Sequence, residues 1–168
     1  VNAFCLPGGK VAVYTGILPL TRDEAGLAAV IGHEVAHATA RHGAERMSQG
    51  LLVQLGLTAG AIAIGTSGRD SGSNQALLAA LGAGATLGVI LPFSRLQETE
   101  ADRLGLIYMA RAGYDPRAAR DLWVRMGEAA RKGGGAPPEW MSTHPSNESR
   151  IRAIEAMLPE ALAVYQPR

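Results

Sequence analysis

His33-Glu34-Val35-Ala36-His37 lies in a stretch whose apolar residues, Leu27, Val30, Ile31, Val35 and Ala38, recur at helical spacing. On a helix, positions 33 and 37 are one turn apart on one face, with position 34 beside them. Two imidazoles next to a carboxylate suit a metal ion and a general base. Zinc takes neutral His nitrogens, and a catalytic zinc site uses three protein ligands with one position open for water. Glu34 is then free to take that water's proton. The bland alternative is two surface His on an amphipathic helix, and the rest of the chain has to decide between them.

Outward from this motif, Thr21 followed by Glu24 reads as a capping box, which predicts one helix over about 22–47 with the motif well inside it. Upstream, Asn2 to Leu20 reads as a hairpin: Ala3–Leu6, a Pro7-Gly8-Gly9 turn, then Val11–Thr15. Downstream, Leu51–Ile64 and Ala76–Leu91 are apolar around a polar Gly/Ser-rich break at Gly65–Asn74. As read, neither reaches the ~20 residues of a simple membrane-spanning helix. The plain expectation is a helical hairpin buried on the domain; the sharper one is a membrane-facing or substrate-covering flap.

Pro92 reads as punctuation, after which Ser94 and Gln97 form a second capping-box pattern for a helix to about Ala112, closed by Gly113. Asp115-Pro116 starts another helix, to about Lys132. Residues 133–138 read as a loop, and a last helix is predicted from about Asn147 to a stop at Pro159.

The 168 residues are a one-domain length, read as a single catalytic domain. With 16 Lys and Arg against 15 Asp and Glu and no basic stripe, the chain does not read as a nucleic-acid binder. Cys5 is the only cysteine, which excludes an internal disulfide and a thiolate metal cluster; its apolar neighbours favour a buried small side chain over a reactive thiol. The opening at Val1, without Met and within a strand pattern, reads as a fragment whose upstream signal or anchor segment is not included.

Two His need a third ligand. The metzincin extension requires Gly at 40 and His at 43, but the chain has Ala40 and Gly43, with His42 one place out of register. On a continuous helix His42 turns about 100° per residue away from the ligand face, so it reads as a surface residue or an outer support. The remaining solution is a carboxylate from a downstream helix. Glu98 and Asp102 are four residues apart on one face, so one can bind metal while the other holds the far nitrogen of a ligating His; Glu100 points elsewhere. An acidic first turn also complements a helix dipole and by itself needs no metal.

His33-Glu34-x-x-His37 followed by Ala40-Arg41-His42, Leu91-Pro92-Phe93-Ser94-Arg95 leading to Glu98 and Asp102, Gly113-Tyr114-Asp115-Pro116 and Ser142-Thr143-His144-Pro145 together resemble the HtpX- and BepA-type zinc endopeptidases, peptidase family M48 of the gluzincin group. The resemblance extends over nearly the whole chain, without BepA's tetratricopeptide extension or a complete HtpX-type transmembrane pair. It implies an α+β, mostly helical domain with a small N-terminal hairpin beside the metal helix. It further implies one zinc ion on His33, His37 and Glu98, Glu34 as the base, and Asp102 supporting a ligand. Implied partners are unfolded or misassembled polypeptides, bound as a strand added along Asn2–Leu6, in protein quality control of a bacterial envelope, periplasmic or membrane-associated. The resemblance favours His144 either as an oxyanion stabiliser or as an inhibitory fourth zinc ligand, with an inert residue as the third reading. Arg150 either orients His144 or meets developing negative charge, or is an ordinary surface Arg. The rival functions are a metal-bound holdase whose zinc is closed by His144, and a membrane module in which zinc only staples helices.

Overall fold

The computed structural model describes residues 1–6, 8–68, 70–132, 144 and 148–167. In chain order the elements are β1 (Ala3–Leu6), β2 (Lys10–Val13), α1 (Leu18–Thr21), α2 (Glu24–Thr39), α3 (His42–Gly65), α4 (Ser71–Ala85), α5 (Leu91–Arg111), α6 (Arg117–Lys132) and α7 (Glu148–Leu162), with a π-helical turn at Thr86–Ile90. The expected class, mostly helical with one small sheet, is the class observed. The chain forms two compact units, Val1–Ala40 with Glu98–Arg168, and Arg41–Gln97. The predicted loop at 133–138, with Ser142, Thr143 and Pro145, lies outside the described residues.

In the first unit β1 and β2 pair antiparallel, Ala3 opposite Val13 and Leu6 opposite Lys10, joined through Gly8 and Gly9 at φ 95° and 83°. The extended reading fails after Val13: Thr15–Ile17 is a 3-10 turn and Leu18–Thr21 a short helix. Pro19 presets helical φ near its start, and the Arg125 side chain donates to the carbonyls of Leu20 and Thr21, satisfying its last turn. The N-cap of α2 is Asp23, whose carboxylate accepts from the Gly26 N–H at 2.8 Å; Thr21 instead donates its hydroxyl to Leu18. A shared core of Ile17, Val30, Leu106, Leu122, Met126 and Ile154 gathers α2, α5, α6 and α7 around β1.

Gly113 closes α5 as predicted. At φ 84° it donates to Ala110, while Tyr114 donates back to Met109, the paired bonds of a Schellman motif. Asp115 then accepts from the Arg117 N–H at 2.9 Å to open α6. The last helix does not stop at Pro159 but runs through it to Leu162, its final turn anchored by buried Ala161.

The second unit departs furthest from expectation. A single helix over 22–47 is broken at Ala40–Arg41, where Arg41 adopts left-handed φ 59° and α3 starts afresh at His42. The break overturns the argument that turned His42 toward solvent: it is 1% exposed. The apolar stretches are also longer than expected. α3 has 24 residues, and α4, the π-turn and α5 form one continuous helix of 41. Pro92 sits just after the π-turn, whose wider ring accommodates a residue without an N–H, so it ends nothing. Gln97 likewise caps no helix. It accepts from Arg46 at 2.8 Å and donates to Glu45 at 2.9 Å. Burial of this hairpin is not observed, since Met47, Leu51, Leu52, Leu55, Ile62 and Leu87 are all exposed.

Candidate metal centre

His33, Glu34 and His37 lie on the C-terminal half of α2, with His33 and Glu34 buried. The backbone of α5 meets α2 at this level. A Cβ on Gly32 would come within 2.8 Å of the Gly105 carbonyl, and one on Gly105 within 2.9 Å of the His33 nitrogen. Only glycine permits that approach, and two turns and one turn before Gly105 stand Glu98 and Asp102.

The His33 Nε2 and His37 Nε2 atoms are 3.1 Å apart, and Glu98 places its two oxygens 3.3 Å from the first and 3.2 Å from the second. Donor atoms on a tetrahedral zinc at about 2.05 Å lie about 3.3 Å from one another, so the donor set and its spacing fit such an ion. On the far side of the ring, His33 Nδ1 is 3.0 Å from Asp102 Oδ1, which leaves Nε2 with its lone pair facing the cluster. His144 joins the same group: its Nδ1 is 2.7 Å from Glu98 and 3.1 Å from His33, and its Nε2 is 3.4 Å from Glu34. His33, His37, Glu98 and His144 together can hold a metal ion.

Arg150 is buried, so its reading as a surface residue is wrong. It donates to both oxygens of Asp102 at 2.8 Å, lies 3.1 Å from Glu98, and stacks 3.6 Å over the Trp123 ring. Trp123 in turn meets His33 edge-on, with ring centroids 6.0 Å apart. A guanidinium locked in this way offsets two buried carboxylates that would otherwise repel each other.

The charges respond to these neighbours. Burial would raise the Glu98 carboxyl, but His144, His33 and His37 outweigh it and hold it far below the usual range. Asp102 is likewise held low, because Arg150 and His33 overcome its burial. Burial opposes a proton on His33, yet Asp102 and Glu98 push its pKa up. For His144 burial wins and lowers the pKa to about 4, so near neutral pH its nitrogens keep the lone pair a metal needs. Burial, and after it the Glu34 charge, raise the pKa of the half-buried Cys5 thiol on β1.

The structure therefore brings together His33, Glu34, His37, Glu98, Asp102, His144 and Arg150, and leaves Glu100 exposed. Sequence reading missed Trp123 and the Gly32–Gly105 contact. The glycines did leave a signal: each lies inside a helix, where Gly costs about 1 kcal/mol unless packing requires it.

The sequence profile of peptidase family M48 matches residues 1–158. The chain belongs to peptidase family M48. This M48 chain is 48% identical over 160 residues to mitochondrial metalloendopeptidase OMA1 of Schizosaccharomyces pombe, covering 95% of this chain and 44% of that protein. It is 37% identical over 171 residues to the mitochondrial metalloendopeptidase OMA1 of Homo sapiens, covering 99% of this chain and 32% of that one. A putative beta-barrel assembly-enhancing protease of Vibrio cholerae is 34% identical over 154 residues, 90% of this chain and 31% of that protein. The chain thus spans less than half the length of these curated relatives. No solved structure matches it.

Proposed function

We propose that this chain is the catalytic unit of a zinc-dependent endopeptidase, with zinc held by His33, His37 and Glu98. The observation that carries the reading is the near-tetrahedral spacing of those three donors, with Asp102 fixing the His33 tautomer. Zinc bound there supplies a Lewis acid that brings a water's pKa toward ~7. Glu34, buried beside the donors, would be the base that takes a water's proton and passes it to the leaving amine. Arg150 keeps Asp102 ionised and, in contact with Glu98 as well, holds both carboxylates in place. An extended substrate pairs along β1, gaining main-chain hydrogen bonds with little demand on side chains, which suits unfolded or misassembled polypeptides. Relatives named for mitochondria and for β-barrel assembly support a role in protein quality control in a bacterial envelope or an organelle derived from one.

The test is Glu34→Gln, assayed on a denatured protein with zinc measured in parallel. Zinc is retained and cleavage lost; unchanged cleavage by the purified variant sinks the mechanism.

A second reading rests on His144, whose Nδ1 stands where a fourth ligand would. A site closed by four protein ligands cannot activate water, so His144 acts as a removable plug in a regulated peptidase or as a permanent one in a holdase. His144→Ala separates the two: it raises cleavage if His144 is a switch, and leaves a zinc-loaded, inactive binder if the chain is a holdase.

A further inference from the structure

We propose that Trp123 is a positioning residue for the metal centre: its indole face holds the Arg150 guanidinium against Asp102 and Glu98, and so keeps the donor set at its metal-binding spacing. The inference rests on the peptidase reading for the bound ion, and on packing for everything else. A guanidinium has five N–H donors, all in its plane and none on its faces. In Arg150 that edge is committed. Nε and Nη2 donate to the two oxygens of Asp102 at 2.8 Å each, and Nη1 lies 3.1 Å from Glu98 Oε2. One of its faces is covered by Trp123, whose ring centroid is 3.6 Å from the guanidinium carbon.

An aromatic ring suits that place for a physical reason. A carboxylate or carbonyl there would compete for the N–H donors and turn the guanidinium plane away from Asp102. A ring face attracts the cation through its quadrupole and takes none of the in-plane donors. The attraction is stronger where water is absent, and both side chains are buried, Trp123 at 3% and Arg150 at 8% exposure. Trp123 also bears on the donor set directly, meeting the His33 ring edge-on at 76° with centroids 6.0 Å apart. One side chain on α6 therefore braces a proposed ligand from α2 and, through Arg150 of α7, two carboxylates of α5. Beside it lies a gap of about 10 Å³ whose lining includes His33, Asp102, Gly105 and Trp123, at the lower limit for a single water. A smaller side chain at 123 enlarges that gap, and water admitted there competes with Arg150 for Asp102.

The experiment uses the full chain in a non-ionic detergent. Zinc affinity is read by competition against a chelator, and the Arg150 Nε–H by nuclear magnetic resonance of the zinc-free protein, its signal assigned by loss in Arg150→Gln. Trp123→Leu is expected to weaken zinc binding about 2- to 30-fold, the span of a cation–π contact, and to move and broaden the Arg150 signal. Trp123→Phe, which keeps a ring face, is expected to recover most of both. Leu122→Ala truncates the same core next to it in sequence, and is expected to lower the melting temperature without changing either readout. In the Arg150→Gln background, Trp123→Leu is expected to add no further loss of zinc affinity, because the group it acts through is gone. Three results overturn the proposal: an Arg150 signal unchanged by Trp123→Leu, equal losses of zinc affinity in Trp123→Leu and Leu122→Ala, or losses that add in the double variant. If Trp123→Leu does not fold, Trp123→Phe with and without Arg150→Gln decides by the same additivity. A parent chain that takes up no zinc defeats the peptidase reading, and the Arg150 signal then decides by itself whether Trp123 holds the guanidinium.

Discussion

The two units of this chain solve burial in opposite ways. The metal-site unit hides charge: His33, Glu34, Glu98, Asp102, His144 and Arg150 are all buried, and each is held by partners of opposite sign or complementary hydrogen bonding. Residues Arg41–Gln97 expose what most proteins hide, presenting Leu, Ile and Val outward along two long helices. Burying ionised groups is costly unless they are paired, and exposing a contiguous apolar surface is costly unless something covers it. The contrast teaches that each unit is most distinctive where it breaks the usual rule of burial. One does so with a preorganised charged cluster, the other with an uncovered apolar face.

Perturbations that separate the two units test the comparison. The largest expected effect is on turnover: Glu34→Gln lowers cleavage of a denatured substrate about 10²- to 10⁴-fold with helicity and zinc content unchanged. Next, a chelator or His37→Ala abolishes zinc binding and lowers the melting temperature of the metal-site unit, read by calorimetry, while circular dichroism in detergent still shows the α3–α4 helices. Loss of helicity in both units together would show that they are not energetically separate. Asp102→Asn weakens zinc affinity about 10- to 100-fold by competition titration, because a neutral amide replaces the charged acceptor that orients the His33 ring and pairs with Arg150. Gly105→Ala forces a Cβ against the His33 backbone at 2.9 Å and destabilises the metal-site unit by about 1–3 kcal/mol in denaturant unfolding. At the small end, Arg103→Ala removes an exposed pair with Glu160 and leaves melting temperature and cleavage unchanged.

The site was more legible in the sequence than the fold around it. Spacing on a helix is set by covalent geometry, so His33 and His37, like Glu98 and Asp102, share a face wherever those helices go. Gly113 and Asp115-Pro116 were readable for a similar reason, since backbone conformation and local side-chain bonding at those positions need no distant partner. Arg41 was not. Its left-handed conformation is one that arginine disfavours, and with it went the expected helix to residue 47 and the placement of His42. Pro92 and Pro159 misled because each is tolerated for a tertiary or local reason, a π-turn in one case and an anchored final turn in the other. The stacking of Arg150 on Trp123 joins residues on separate helices, and no periodicity announces it.

Consider finally where the chain departs from the metal-site unit and where it returns. Ala40 is three residues after His37, and the chain comes back at Glu98, itself one of the proposed zinc ligands. During synthesis from the N-terminus, a nascent chain that has produced both imidazoles still lacks its third ligand until the whole apolar excursion has been made. Completion of the proposed donor set therefore follows translation order. The proposed metal centre cannot be assembled before the whole of that segment has emerged, so a newly made chain holds an incomplete donor set until then.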